Sequence, residues 1–351
     1  MNSSTINISF GMIVLNGEPF VRYNLRSLYP FAHQIIVVEG ACPSAVNVAR
    51  PDGHSVDGTI ETLRSFKHNE DPQNKVIVVT AQDEGHTEGF WHEKNEMSKA
   101  YAKRATGNYL WQIDSDEFYD EQQIPQIITL LDAEHPDAVS FPMITFWGNI
   151  KYVTNSFYLV RDNAREYHRL FAWGPGHSYA THFPPTVLDP SGINARNKKW
   201  LRARFLEKKG IYLYHYSLLF PHQVYSKVSY YKEREKIDID KWEEAVYRRL
   251  KKPFRAHNVY QSIGWLERYT GRHPSSIRQM ITDIEAGRLD IQTRDCTDVE
   301  NLLSNSRYVL ACRFLSASAQ FMSYTPVHFV YRICRALMNR VHRVFTTLIR
   351  R

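Results

Sequence analysis

Trp111-Gln112-Ile113-Asp114-Ser115-Asp116-Glu117-Phe118 decides the fold of this chain, because here an apolar run ends in two carboxylates one residue apart. In an extended segment the side chains at positions i and i+2 point the same way, so Asp114 and Asp116 can converge on one cation or one diphosphate. Hard divalent ions such as Mg²⁺ and Mn²⁺ take oxygen ligands and keep open positions for water and phosphate. A D-x-D pair by itself is as often a solvated turn, so the surrounding sequence decides its interpretation.

Segments with the composition of β-strands precede this pair and alternate with helical patterns. The predicted strands are Ile8 to Leu15, Gln34 to Val38, Lys75 to Thr80 and Tyr109 to Ile113, and the predicted helices are Pro19 to Leu28, Thr59 to Ser65 and Glu93 to Ala105. This alternation predicts an α/β fold with a mostly parallel sheet flanked by helices. Ligands of such sheets lie beyond the carboxyl ends of the strands. The residues expected at that edge are Asn16, Glu39, Gln82, Asp114 and Asp116.

The order of the sequence blocks resembles that of GT-A fold glycosyltransferases of the large family 2 type. The matching blocks are Ile-Ile-Val-Val-Glu-Gly at 35–40, Ser-Val-Asp-Gly-Thr-Ile-Glu-Thr-Leu at 55–63, Glu-Lys-Asn at 93–95 and the segment 105–116. Such enzymes move a sugar from a nucleotide-sugar donor to an acceptor hydroxyl. The resemblance therefore implies an inverting transferase that uses Mn²⁺ or Mg²⁺. Residues 41–54 are an insertion that the family normally lacks.

The resemblance implies roles for several residues on the donor side. Asp116 would hold the metal, while Asp114 would contact the donor ribose or a metal-bound water. Glu39 matches the position that meets the nucleoside, and Lys94 would meet the diphosphate as a point charge. The full set expected to bind the donor is Asn16, Glu39, Asp57, Gln82, Lys94 and Asp114.

Two histidine blocks follow the carboxylates, Ala-Thr-His-Phe-Pro-Pro-Thr at 180–186 and Tyr-His-Tyr-Ser at 214–217. Some family members have V-H-E and later H-Y-G-Y in these places, so the resemblance implies that His215 joins Asp116 and Asp114 as a metal ligand. Phe183 stands where the family has an acidic residue that deprotonates the acceptor. His182 is therefore the first candidate for the base and Asp189 the second.

Aromatic residues after the carboxylates are candidates for an acceptor site. Aromatic faces stack on sugar rings, which makes Trp147, Trp173 and Tyr179 candidates in loops that continue the sheet. The alternative is that these side chains fill the core. The expected partners are a nucleotide-sugar donor and a carbohydrate or lipid-linked acceptor.

Composition divides the chain into three predicted parts. Residues 1–220 form the GT-A type catalytic and nucleotide-sugar-binding domain, residues 221–325 a helical appendage, and residues 326–351 a basic amphipathic helix. The helices expected in the appendage are Gln223 to Arg234, Lys241 to Lys251, Val259 to Tyr269 and Ser275 to Ala286. Glycine and proline breaks separate them.

The excess of positive charge in this chain lies near its C-terminal end. Residues 301–351 contain eight of the 44 lysines and arginines and none of the 37 acidic residues. From Val330 to Leu348, apolar residues spaced by three or four form a helical stripe beside arginines. Such a helix is typical of an element that binds an anionic membrane surface or a partner, and the alternative is that it packs on the body of the protein.

Other features of the sequence limit the class of protein to which the chain can belong. The four cysteines have no C-x-x-C spacing, which favours a reducing compartment. No leader sequence or membrane span is evident, so a cytoplasmic protein is expected, with peripheral attachment at the inner face of a membrane. Nucleic acid is not an expected partner, because the charge is confined to one helix. Two alternatives remain: a nucleotidyltransferase, for which Leu15 to Pro19 lacks the basic glycine-rich loop, and a non-catalytic nucleotide-sugar-binding protein.

Overall fold

The computed structural model describes residues 6–161, 166–235, 239–256 and 263–324. The strands in this part are β1 (Ile8–Val14), β2 (Gln34–Glu39), β3 (Val76–Val79), β4 (Tyr109–Asp114), β5 (Glu117–Phe118), β6 (Ala138–Trp147), β7 (Asn149–Ser156), β8 (Glu166–Ala172), β9 (Ser178–Thr181), β10 (Thr186–Leu188), β11 (Trp200–Leu201), β12 (Leu213–Leu218) and β13 (Gly264–Arg268). The main sheet has the order β13-β7-β6-β8-β4-β1-β2-β3. Strands β4, β1, β2 and β3 are parallel to one another.

Helices cover both faces of this sheet, which confirms the predicted α/β fold with a mostly parallel central sheet. The helices are α1 (Phe20–Leu28), α2 (Thr59–Asn69), α3 (Lys94–Ala102), α4 (Ile124–Glu134), α5 (Phe157–Arg161), α6 (Ala203–Glu207), α7 (Pro221–Glu235), α8 (Ile239–Trp242), α9 (Ser275–Glu285), α10 (Thr297–Ser304) and α11 (Ser306–Ser323). A π-helical turn at Glu243–Arg248 follows α8, and the short 3-10 helices are Tyr29–Phe31, Pro43–Val48, Gln82–Glu84 and Ala195–Asn197.

The apolar run of β2 is explained by burial on both faces of the sheet. Ile35 and Val37 pack in the cluster that contains α1, α2 and α4, whereas Ile36 and Val38 pack in the cluster that contains α3. A strand buried on both sides has no polar face, so its sequence does not alternate. On β1, a Cβ added to Gly11 would lie 2.4 Å from the ring of a tyrosine in α3, so the glycine permits this close helix packing.

Beyond β4 the sheet is mixed, and this half positions the second histidine block. Strand β8 is antiparallel to β4 and β6, while β12 is parallel to β6 and antiparallel to the short strand β5. In the register of β5 and β12, His215 is opposite Glu117. The N–H of Tyr216 donates to the carbonyl oxygen of Asp116 at 2.9 Å. Backbone hydrogen bonds therefore join the D-x-D turn to the block that contains His215.

The C-terminal part of the described chain is not wholly helical. The prediction of a helix from Val259 to Tyr269 was wrong, since β13 lies within that range and pairs antiparallel with β7. Trp265 and Leu266 of this strand are buried against the body of the protein. An available sheet edge and this burial outweigh the local helical pattern. Helices α7 and α9 lie close to two of the other predicted segments.

Residues after 220 also contact the first part of the chain through α9. The hydroxyl group of Tyr23 in α1 donates to the carboxylate of Asp283, and Glu121 accepts the backbone N–H groups of Ser275 and Ser276 at 3.0 Å each. These contacts, together with β13, attach the predicted appendage to the sheet. The domain boundary at residue 220 stays a prediction.

Two further findings concern membranes and cysteines. Among the described residues, no helix combines the length and apolar character that crossing a bilayer requires. Cys42, Cys296 and Cys312 carry free thiols. The basic helix predicted for residues 326–351 lies outside the described residues.

Candidate functional site

A cleft of about 430 Å³ opens at the carboxyl ends of β1 and β4. Its floor contains Asp114, Asp116 and His215. The inserted segment 41–54 forms one wall, and α7 packs against the 3-10 helix of that segment and forms another. The insertion and α7 thus enclose the sheet edge at which the sequence predicts the donor.

Asn24 of α1 fixes the turn between the two carboxylates. This side chain is fully buried, and its Nδ2 donates to the carbonyl oxygens of Ser115 and Glu117 at 3.1 and 2.7 Å. Buried carbonyl groups need such partners, and one amide here serves two. The conformation of the D-x-D turn is therefore set by a residue outside the motif.

Asp116 lies between two residues from later elements. Its Oδ1 is 3.6 Å from Nε2 of His215, and its Oδ2 accepts a hydrogen bond from Nε2 of Gln223 at 3.1 Å. Burial raises the pKa of this carboxyl, but its interactions with His215 and Lys227 outweigh burial and hold the pKa well below its usual value. Asp116 is therefore ionised at neutral pH, as a metal ligand must be.

His215 has a nitrogen atom without a protein partner. Its Nδ1 is buried and makes no hydrogen bond within the described part of the chain. Leaving a buried polar atom unpaired costs about 1 to 3 kcal/mol, so this atom on the floor of the cleft needs a partner from outside the chain, while Nε2 of the same ring faces Asp116. Two carboxylates and an imidazole are a suitable donor set for a divalent ion such as Mn²⁺. The residues present therefore fit the metal that the sequence resemblance implies.

Asp114 lies beside a buried ion pair that sequence analysis did not identify. Arg169 of β8 donates to Glu117 through Nε and Nη2 at 2.8 and 2.5 Å, and its Nη2 is 3.4 Å from Oδ2 of Asp114. Burial opposes the charge on Arg169, but Glu117 and Asp114 outweigh it and raise the pKa of the guanidinium. This fixed cation offsets the repulsion among the acidic residues of the turn.

Two lysines line the cleft, of which Lys94 was predicted and Lys227 was missed. The Nζ of Lys94 lies 4.2 Å from the ring centroid of Tyr230. Lys227 is half-buried on the side of Asp116, and burial lowers its pKa although Asp116 and Asp114 oppose this effect. Lys227 follows Gln223 by one helical turn, so both reach the same face of α7. That Q-x-x-x-K spacing was the available signal, but it lay in a segment interpreted as an appendage.

His182 lies at the cleft directly after β9 and is positioned by α3. Its Nδ1 is 2.9 Å from Oγ of Ser98, and its backbone N–H donates to Oδ1 of Asn95 at 2.7 Å. Phe183, the residue that replaces the acidic one, is 74% exposed and also lines the cleft. The helix that carries Lys94 therefore also orients the first candidate for the base.

Glu39 does not reach the cleft, because the inserted segment uses its carboxylate. The side chain is fully buried, accepts hydrogen bonds from the N–H and the hydroxyl of Ser55 at 2.7 Å, and lies 2.6 Å from Nδ1 of His54. Both oxygens are thus engaged by protein groups. We therefore correct the prediction that Glu39 meets the nucleoside: in this chain it anchors the end of segment 41–54.

Of the other predicted donor residues, Asn16 lines the cleft, whereas Asp57 and Gln82 do not. The carboxylate of Asp57 accepts the backbone N–H groups of Glu18 and Thr59 at 2.9 and 3.0 Å, which holds the start of α2. Gln82 lies on the surface beside the inserted segment. Asp57 and Gln82 therefore support the walls of the site from outside it.

Asp189 is not among the residues that line the cleft. Its Oδ1 accepts the backbone N–H groups of Ser191 and Ile193 at 2.8 and 2.9 Å, and its Oδ2 lies 3.0 Å from Nζ of Lys198. The backbone hydrogen bonds and Lys198 lower the pKa of this carboxyl. A carboxylate so engaged is a poor base, and the structure does not bring it to His182.

The three aromatic residues predicted to line an acceptor site also lie outside the cleft lining; they are Trp147, Trp173 and Tyr179. Trp147 is fully buried, with its ring centroid 5.3 Å from that of Tyr247. The hydroxyl of Tyr179 donates to the side chain of Gln112, and Nε1 of Trp173 donates to a backbone oxygen at 3.2 Å. These contacts favour the alternative that they fill the core. The aromatic residues that do line the cleft are Phe20, Tyr167, Phe183 and Tyr230.

Comparisons with known proteins add only distant likenesses. No protein-family profile matches the sequence, and no curated protein matches it. A structure of S. aureus TarS 1-349 is 11% identical over 72% of this chain and 79% of that one, with a TM-score of 0.38. S. aureus TarS 1-349 in complex with UDP is 15% identical over 40% of this chain and only 36% of that one, with a TM-score of 0.29.

A third solved structure is M. tuberculosis glucosyl-3-phosphoglycerate synthase in complex with Mn²⁺, UDP and glucosyl-3-phosphoglycerate. It is 14% identical over 48% of this chain and 58% of that one, with a TM-score of 0.32. Scores this low assign neither a family nor an activity. The function is therefore inferred from the residues of this chain.

Proposed function

We propose that this protein is a metal-dependent glycosyltransferase of the family 2 type, which moves a sugar from a nucleoside diphosphate sugar to an acceptor hydroxyl. The observation that carries the proposal is the pairing of Asp116 with His215 in a cleft that also contains Lys94 and Lys227. A carboxylate and imidazole set beside two lysines matches a divalent cation bound to a diphosphate. The order of the sequence blocks supports the same reaction independently.

Asp116, Asp114 and His215 would hold Mn²⁺ or Mg²⁺. Bound there, the ion offsets the negative charge that develops on the leaving diphosphate. Lys227 and Lys94 supply positive charge at the same oxygens from α7 and α3. Gln223 orients the carboxylate of Asp116 through its hydrogen bond, so α7 contributes both to the metal ligands and, through Lys227, to the positive charge.

The transfer forms a bond between the acceptor oxygen and the anomeric carbon and breaks the bond from that carbon to the diphosphate. In an inverting reaction the acceptor approaches the face opposite the diphosphate. His182 takes the proton of the acceptor hydroxyl, and Ser98 at its Nδ1 sets the orientation of the ring. Phe183, exposed beside it, offers an aromatic face to a carbohydrate or lipid-linked acceptor.

Calorimetry with a panel of nucleoside diphosphates tests the donor side of this proposal. We expect one nucleotide to bind in Mn²⁺ or Mg²⁺ and to lose most of its affinity in EDTA, because the diphosphate is held largely through the ion. Equal affinity in EDTA and in Mn²⁺ would contradict the metal role.

Turnover assays separate the proposal from its two alternatives. A glycosyltransferase releases nucleoside diphosphate from the matching nucleotide sugar. Release is slow when the sugar is transferred to water and fast when it is transferred to an acceptor. A nucleotidyltransferase instead releases pyrophosphate from a nucleoside triphosphate. A binding protein gives neither product while still binding the nucleotide sugar.

A further inference from the structure

A second group of metal-ligand side chains lies outside the cleft, around the start of α3. It consists of His86, His92 and Glu96. The Nε2 of His86 is 2.9 Å from Oε1 of Glu96, and the Nδ1 of His92 is 3.5 Å from Oε2 of the same carboxylate. The two imidazole rings meet edge to face, with centroids 4.5 Å apart. Each oxygen of one carboxylate therefore faces a different imidazole.

These separations are close to those between ligands of a single zinc ion. Zinc bonds to nitrogen and oxygen are about 2.0 to 2.1 Å, so ligand atoms in a tetrahedron lie about 3.3 Å apart. The ligand atoms of the three residues all lie within 4.8 Å of one another. His92 is 78% exposed, so its side chain can rotate to close the remaining gap and leaves an entry path for the ion.

The chemistry of the donor set also indicates zinc. Two imidazoles and one carboxylate hold zinc in sites that keep a fourth position for water. Glu96 accepts the backbone N–H of His92 at 2.9 Å, a bond that orients the carboxylate and leaves lone pairs for an ion. Hard Mg²⁺ prefers sites built from oxygen alone, so this set discriminates against Mg²⁺.

Close contacts with the inserted segment and with the end of β2 hold the loop that carries both histidines in place. Gly89 has a φ of +79°, and a Cβ added there would lie 2.1 Å from the backbone oxygen of Asp52. Trp91 is fully buried, and its Nε1 donates to the backbone oxygen of Glu39 at 3.0 Å. The ligands are therefore presented by a backbone that is fixed on both sides, as a metal site requires.

We propose that His86, His92 and Glu96 form a zinc site with the spacing H-x5-H-x3-E. The site ties the loop before α3 to the first turn of that helix. Lys94, which lines the cleft, and Asn95, which bonds the backbone of His182, lie in the same turn. Zinc at this position stabilises the wall of the cleft from outside, and the inference does not depend on the proposed function.

The experiment uses Zn²⁺ and Co²⁺ alone as probes, added to EDTA-treated and dialysed full-length protein in excess Mg²⁺. The Mg²⁺ occupies oxygen sites without competing for imidazoles. Asp116→Asn serves as the parent variant, so that the cleft does not contribute the binding. Within it, His92→Gln and Glu96→Gln each remove one ligand, and His68→Gln removes an exposed histidine of α2 as the matched control.

We expect the parent and the His68→Gln variant to bind one Zn²⁺ with equal affinity and to give the same Co²⁺ absorption bands. His92→Gln and Glu96→Gln should weaken binding by more than about tenfold, since losing a ligand costs at least as much as losing a residue that only supports one. His92 is exposed, so its variant keeps the fold, which equal melting temperatures in EDTA would verify. Unchanged affinity in His92→Gln, or equal losses in His68→Gln, would overturn the site.

Discussion

The Nε2 atom of His215 lies 3.6 Å from Oδ1 of Asp116, and the two residues belong to different parts of the chain, a turn and a strand. Asp116 follows β4, whereas His215 belongs to β12, which pairs with β5 directly after the D-x-D turn. A shift of one residue in that pairing would turn His215 to the other face of its strand. The register between β5 and β12 is therefore part of the candidate metal site.

Replacing Asp116 should separate metal-dependent binding from folding. Asp116→Asn keeps the size of the side chain but removes the charge that attracts the ion. We expect the affinity for the nucleoside diphosphate in Mn²⁺ to fall at least about tenfold, towards its value in EDTA. Calorimetry checks this, with Asp132→Asn, an exposed residue of α4, as the control. Retention of the full Mn²⁺ effect would place the ion elsewhere.

His215 and His182 should affect different steps. His215→Ala removes a metal ligand, so donor binding should weaken. His182→Ala should leave donor affinity unchanged and lower kcat by about 10² to 10⁴, the usual contribution of a general base. Steady-state kinetics with the true acceptor, combined with donor binding, distinguish the two. Full activity in His182→Ala would mean that another group takes the proton.

Lys227 should contribute to diphosphate binding through its charge. Lys227→Met should weaken binding of the nucleoside diphosphate by about tenfold or more, because a hydrogen bond to a charged group is worth about 1.5 to 3 kcal/mol. The affinity for the nucleoside without its phosphates should change little. Lys227→Arg should restore part of the loss, and Lys67→Met, an exposed lysine of α2, should change nothing. Equal losses for the nucleoside and the diphosphate would indicate a structural role.

Two partly buried histidines should make stability depend on pH. Burial lowers the pKa of His168 and of His273 to about 4, from an ordinary value of 6.5. Between these values the unfolded chain binds protons that the native protein does not, so the free energy of unfolding falls as the pH is lowered through this window. Urea unfolding across the window measures the slope. His273→Phe should reduce the dependence of the free energy of unfolding on pH, to which His168 still contributes. His68→Gln should leave this dependence unchanged.

The basic C-terminal segment stays a prediction from sequence, because residues 326–351 lie outside the described residues. Its arginines should attract anionic lipid at about 1 kcal/mol per residue near the surface, and salt should weaken the attraction. The full-length protein should therefore sediment with anionic vesicles at low salt. Replacing Arg332, Arg335, Arg340 and Arg343 by glutamine should abolish this without loss of donor binding. Sedimentation that persists in this variant would contradict the electrostatic role.

The sequence by itself determined the parallel half of the sheet and the position of the carboxylate pair. Both follow from local rules, since a strand buried on both faces needs an apolar run, and residues at i and i+2 in an extended segment share a face. Asp114 and Asp116 lie at the cleft as expected, and so do Asn16, Lys94, His182 and His215.

Only the tertiary structure decided which other residues complete the site. Strand β13 forms where a helix was predicted, because an open sheet edge supplied hydrogen bonds that local sequence does not encode. The insertion captured Glu39, and chain segments far apart in sequence brought Arg169 and Lys227 beside the carboxylates. The partners of a charged residue depend on packing between elements that are distant in sequence. The spacing of residues along one segment therefore does not predict these partners.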